Sequence, residues 1–297
     1  MTRTPLLHHV PLLRAWTENW PTWWTFFRIS IEERLVYRVD YALGTLMRFL
    51  PIITQIFLWW TIFEGIRRAN PTGEVQQIAG YRYQDMVAYY LLVTISRAFS
   101  SMPGLTPGIT RLIRSGEIKK FLIQPVDLLG CLLLQRLAHK VVYYAVAIIP
   151  FAFVFYILGD FFPDGWPSTD VLLVFIASLV LSFLLGFFLE ALFGLLAFWF
   201  LEIASLTFVF MLLNFFLSGH MFPLELLPQR PINWQLLVDV LPFKYLAYFP
   251  AAVFLGKVEG AEMYRGLFVE LLWVVGLIIA CRFTWSRGLK QYSGYGG

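Results

Sequence analysis

Three carboxylates stand within or beside long apolar runs: Glu190, Glu202 and Glu270. A glutamate at membrane depth is costly unless it is protonated, paired or wet, so such positions either relay protons or hold a structural partner. They open one chemistry, proton-coupled carriage through Glu190, Glu202 or Glu270; structural pairing is the competing reading. Other chemistries lack their residues. No G-x-x-x-x-G-K-[ST] stretch offers backbone amides to cradle phosphates, so ATP hydrolysis is not expected from this chain. Neither an H-E-x-x-H zinc helix nor a G-x-S-x-G nucleophile elbow is present, and no cofactor motif is found. A membrane-embedded lipid-modifying enzyme would need one of these. Cys131 and Cys281 have no partner at metal-ligand or redox spacing and are expected as free thiols.

The elements that must position any functional group are set by one charged stretch, RSGEIKKFLIQPVD at 114–127, which lies between two apolar runs. Pro103, Gly104, Pro107 and Gly108 break the preceding helix. Ile109, Leu112 and Ile113 then recur at helical spacing beside Arg111 and Arg114. Ile118, Phe121 and Leu122 continue the apolar face, Lys119 and Lys120 point elsewhere, and Pro125 stops the pattern. Residues 109–124 therefore read as a cytoplasmic amphipathic element. An ordinary basic loop, retained on the cytoplasmic side during insertion, has the same appearance.

Composition fixes the class. Of the 297 residues, 59% are hydrophobic, 18% aromatic and only 14% charged. With a mean hydropathy of +0.67 the chain is too apolar for a soluble domain of this length. An all-α, polytopic integral membrane protein is expected, a single domain over 1–297. The sequence pI of about 9.0 does not argue for nucleic acid, because the basic residues are scattered among helix-flanking loops. No charged start leads into a short apolar core and cleavage site, so no signal peptide is expected and the first span serves as the insertion signal.

In chain order, 16–38 reads as an interfacial helix, with Trp20, Trp24, Phe27, Ile31 and Leu35 on one face. A soluble amphipathic helix docked on a partner is the alternative. Membrane helices are expected over 41–63, 85–102, 141–158, 171–200, 203–218 and 265–285, the first of them long enough to cross about 30 Å of hydrocarbon. Arg48 and Arg97 lie near span ends, where snorkelling to phosphates explains an arginine; Arg97 is also a pathway candidate with the three glutamates. The run 171–217 is too long for one crossing, and its turn is placed near 200–203. Residues 221–256, interrupted by Pro223, Pro228, Pro231, Pro242 and Pro250, are expected to form an outward re-entrant segment. The glycine-rich end, 293–297, is expected to be disordered. Fourteen Lys and Arg in the N-terminal segment, the central loop and the tail, against seven opposite, favour both termini in the cytoplasm.

The R-x-G-E of 114–117, the fuller GEIKKFLIQPVD loop, SGHMFPLELLP and LPFKYLAYFPAAVFLGK follow one another in an order that resembles the six-helix permeases of the type-2 ATP-binding-cassette superfamily. The likeness covers nearly the whole chain. It implies a cytoplasmic-membrane exporter whose separate ATPase subunit grips the coupling helix at 109–124, with Arg111, Arg114, Glu117, Lys119, Lys120 and Phe121 as contacts. It also implies a second permease, in a homodimer or heterodimer, surrounded by membrane lipids. Lys119 and Lys120 stand where an acidic residue often follows the Gly-Glu pair, so the charge of the matching ATPase groove is not carried over.

Overall fold

The computed structural model describes residues 20–36, 38–69, 77–124, 126–162, 165–200, 202–228 and 233–292. Residues 16–19 of the expected interfacial helix, Pro125, Pro231 and the end 293–297 lie outside them. Helices account for about four-fifths of the described residues, and no β-strand occurs among them.

The helices are α1 (Trp20–Leu35), α2 (Arg38–Ala69), α3 (Tyr83–Ser100), α4 (Leu105–Arg114), α5 (Lys119–Ile123), α6 (Leu128–Ile157), α7 (Thr169–Leu195), α8 (Ala204–Leu217), α9 (Trp234–Val240), α10 (Tyr248–Phe254) and α11 (Gly260–Gln291). Four are long and apolar enough to cross a membrane: α2 from Val39, α6, α7 with its short 3-10 extension to Phe198, and α11. Their outward faces are greasy, as Phe57, Ile149 and Ile279 illustrate at 65%, 75% and 64% exposed. Such faces need a hydrocarbon solvent. The two other expected spans correspond to shorter helices. α3 has 18 residues and carries Asp85, Arg97 and three tyrosines, which it tolerates because Met86–Val93 are buried among protein rather than lipid. α8 has 14 residues, about 21 Å of rise, less than the hydrocarbon thickness.

The hub is α7, which packs against α3, α4, α10 and α11. Its sequence carries small residues where neighbours come close. A Cβ at Gly186 would stand 2.0 Å from the carbonyl oxygen of Ser100, at the end of α3, and one at Gly194 would stand 2.9 Å from the Ile109 side chain of α4. In a membrane, where lipid is as apolar as protein, such small-residue contacts let helices associate through van der Waals packing. The break between α7 and α8 comes as a 3-10 turn at Leu196–Phe198, with 199–200 and 202–203 non-helical.

The described residues of 221–256 contain no helix longer than seven residues: a 3-10 turn at Leu224–Leu226, α9, a second 3-10 turn at Pro242–Leu246, and α10. Prolines start or interrupt these pieces because each lacks a donor for the helical ladder. α10 is nonetheless enclosed, with Ala251, Ala252 and Val253 fully buried against α3 and α7. Tyrosines tie the segment down. The Tyr90 hydroxyl donates to the Met221 carbonyl at 2.7 Å, and the hydroxyls of Tyr81 and Tyr248 both donate to the Glu225 carboxylate. Lys257 donates to the Gly80 carbonyl at 2.9 Å and to Asp85 at 3.1 Å, closing the same end of the bundle.

In α1 the expected aromatic stripe faces outward: Trp20 and Trp24 are exposed, while Trp23 and Ser30 point into the protein against α6. Gly186→Ala is expected to destabilise the purified chain by about 1–3 kcal/mol or more, because the Ser100 backbone cannot step aside. Gly276→Ala, which meets open space, is expected to leave the thermal unfolding midpoint in detergent unchanged or slightly raised.

Candidate functional site

The charged stretch is not one continuous helix. α4 ends at Arg114, and Gly116 follows with φ +75, a conformation that lets the Gly116 and Ile118 amides turn back to the carbonyls of Ile113 and Leu112. The chain restarts as α5 on a new axis. Leu105, Ile109, Ile113 and Ile118 are buried in the main core, and Phe121 packs half-buried on its edge. The face does not run on to Leu122: Leu122 and Ile123 are 46% and 84% exposed, because the turn at Ser115–Ile118 rotates α5 relative to α4.

Arg111, Arg114, Glu117, Lys119 and Lys120 are all exposed on this outer side. Glu117 accepts from the Lys120 ammonium at 3.0 Å, and that bond holds the glutamate below its ordinary carboxylate range. Four cations and one carboxylate thus surround two bare aliphatic side chains. Such a patch suits a protein partner with acidic and apolar features better than it suits bulk water.

The loop is also tied to the bundle by side chains that its own spacing does not reveal. The Thr106 hydroxyl donates to the Glu190 carbonyl of α7 at 2.8 Å. Arg136 of α6 donates to the Pro103 carbonyl at 2.9 Å, and Lys140, only 7% exposed, donates to the carbonyls of Ala98 and Ser101. Lys140 thus satisfies carbonyls at the end of α3, at the negative end of its dipole, and Arg136 one in the turn that follows. Asp127 caps α6 by accepting from the Gly130 amide at 2.7 Å and pairs with Arg282 of α11 at 2.9 Å. Arg136 and Lys140 stand four residues apart, a spacing that places them on one helical face; that was the available signal. Nothing local pairs Asp127 with a residue 155 positions away.

The remaining polar candidates are dispersed. Glu190 lies half-buried on α7 near the coupling loop, with Arg136 and Arg97 acting on its carboxylate across space. Glu270 of α11 is fully buried and accepts from Ser178 of α7 at 2.8 Å, its other oxygen having no partner. Ser178 and Glu190 are twelve residues apart on one helix, about 18 Å of rise. Glu202 is exposed in the break between α7 and α8. The three carboxylates therefore do not converge. Arg97 donates to Asn214 of α8 at 3.1 Å. Cys131 and Cys281 are free and buried.

A family model described as ABC-2 family transporter protein matches residues 49–296. The chain belongs to the ABC-2 transporter family. No significant match is found among curated proteins or among solved structures. An ABC-2 permease is the multi-pass membrane component of an ATP-binding-cassette transporter and works with an ATPase. In this ABC-2 permease the exposed α4–α5 loop and its ties to α3, α6, α7 and α11 form the candidate site.

Asp127→Asn and Arg282→Gln are each expected to lower the thermal midpoint of the detergent-solubilised permease. The double variant is expected to fall short of their sum by about 0.5–3 kcal/mol, the range for partners in contact; strict additivity would mean the pair carries no stability.

Proposed function

We propose that this chain is the permease subunit of an ATP-driven exporter in the cytoplasmic membrane, with both termini in the cytoplasm and a second permease beside it. A separate ATPase docks on the loop 109–124. The observation that carries this reading is the division of the loop: its aliphatic side is seated on α7, while Arg111, Arg114, Glu117, Lys119 and Lys120 stand out with Leu122 and Ile123. Phe121 spans the two sides and would be pressed between partner and core.

The same geometry supports a mechanical route. Movement of α4 is passed to α7 where Ile109 meets Gly194 and Thr106 holds the Glu190 carbonyl. It is passed to α3 through the carbonyls that Arg136 and Lys140 hold. Tightly packed helices shift as units rather than deform, so closure of the ATPases on binding ATP would re-aim α3 and α7 together. The resulting change of access is a population shift between two packings, driven by the ATPase's preference for one of them. Fourteen Lys and Arg on the side of this loop, against seven on the other, support the orientation. The dispersal of Glu190, Glu202 and Glu270 gives no support to a proton relay along this chain.

Replacing Arg114 and Glu117 together by glutamine is expected to abolish stimulation of the ATPase by the permease while leaving membrane insertion and the thermal midpoint intact. ATPase rates in proteoliposomes decide it. Stimulation at the wild-type level in the double variant would remove the docking assignment.

A further inference from the structure

Between α2, α3 and the end of α8 lies a cavity of about 500 Å³. Its two ends differ in chemistry. Trp59 of α2 donates to the Tyr90 hydroxyl of α3, which sets these helices side by side in opposite directions. Arg48, early in α2, and Arg97, late in α3, therefore line one end. Gln55 and Tyr90 line the other, about 10 Å of helix rise away from them. Ile52, Val93 and Phe215 provide an apolar wall.

Neither arginine has a carboxylate in contact, although the Glu190 carboxylate acts on Arg97 across space. The Arg48 guanidinium lies 5.1 Å from the centre of the Tyr143 ring, and Arg97 donates to a neutral amide, Asn214. Among the described residues neither forms an ion pair with a carboxylate. Snorkelling explains the exposed Arg48 taken alone, but a half-buried Arg97 lining the same cavity, with no carboxylate in contact, gains from an anion that the two guanidinium groups share. Guanidinium is the side-chain group best matched to phosphate or carboxylate. At the far end, Gln55 Oε1 and His220 Nδ1 are buried without a hydrogen-bond partner, and both residues line the cavity. A mostly apolar pocket with a few convergent polar groups is the usual form of a small-molecule site.

We propose that this cavity binds an amphipathic anion, with a phosphate or carboxylate head between Arg48 and Arg97, an apolar body along Ile52, Val93 and Phe215, and a hydrogen-bonding substituent at Gln55 and His220. The inference rests on the exporter reading and supplies its substrate class. Such an anion reaches the site either as a bilayer phospholipid or as a diffusible amphiphile, and the same guanidinium chemistry serves both.

The test is equilibrium binding of dodecyl phosphate to the full chain in phosphatidylcholine nanodiscs, with dodecanol and dodecyltrimethylammonium as matched neutral and cationic probes. Dodecyl phosphate is expected to bind saturably at one site per chain, at least about tenfold tighter than either control, and Arg48→Gln and Arg97→Gln are each expected to weaken it by about tenfold. Arg48 is exposed, so its variant is expected to fold even if the Arg97 variant does not. Equal binding of the three probes, or wild-type binding by Arg48→Gln, would overturn the proposal. Repetition in nanodiscs containing phosphatidylglycerol separates the sources: competition marks the lipid as occupant, and undiminished binding marks a diffusible amphiphile. Association with an ATPase in native membranes is scored on the same variants. Loss of that association in the wild-type chain with dodecyl phosphate binding retained would count against the exporter reading, whereas intact association with unselective binding counts against the cavity alone.

Discussion

The close approach of α7 to its neighbours is the constraint from which the remaining arrangement follows. With no side chain at Gly186, the backbone that ends α3 lies directly on α7; with none at Gly194, α4 seats Ile109 in the same way. Hydrophobicity cannot supply this, because leaving lipid for protein gains an apolar side chain little, and association must come from contact at short range. Once those two seats are fixed, the loop between α3 and α6 has only one place to run. The carbonyls at the end of α3 then fall where Arg136 and Lys140 can reach them.

Polar groups in this bundle act as fasteners at its two ends. At one end, Tyr81, Tyr248 and Glu225, with Lys257 and Asp85, hold the proline-broken segment on α3. At the other, Lys140, Arg136 and the Asp127–Arg282 pair hold the α4–α5 loop on α6 and α11. A hydrogen bond at the edge of a low-dielectric interior is strong, and an orphaned partner is correspondingly costly, so these contacts define the packing more sharply than the greasy surfaces between them. The long helices α2, α6 and α11 are bound mainly along one side and leave broad apolar faces to the membrane. The proposed alternation would use such a division, rigid where the loop is fastened and adaptable where lipid is the only neighbour.

Much of this was legible in the sequence. The apolar runs and the low charge define an all-helical membrane protein. Pro103, Gly104 and the charged stretch after them mark where the helices are interrupted, because proline and glycine act on the backbone locally, whatever surrounds them. The Arg111, Arg114 and Lys119–Lys120 charges are exposed, as their clustering in a polar stretch leads one to expect.

Direction and partnership were decided only by the tertiary structure. Periodicity places Leu122 with Phe121, but the left-handed Gly116 turns α5 and exposes Leu122 with Ile123. It places Trp20 and Trp24 on one stripe without saying that Trp23 is the one turned inward. Arg48 and Arg97 each read singly as a snorkelling anchor, and only the pairing of α2 with α3 brings them to one cavity. The physical reason is common to all three: helix spacing records which residues share a face, whereas in a bilayer both lipid and protein accept an apolar face, so the choice between them rests on contacts made far along the chain.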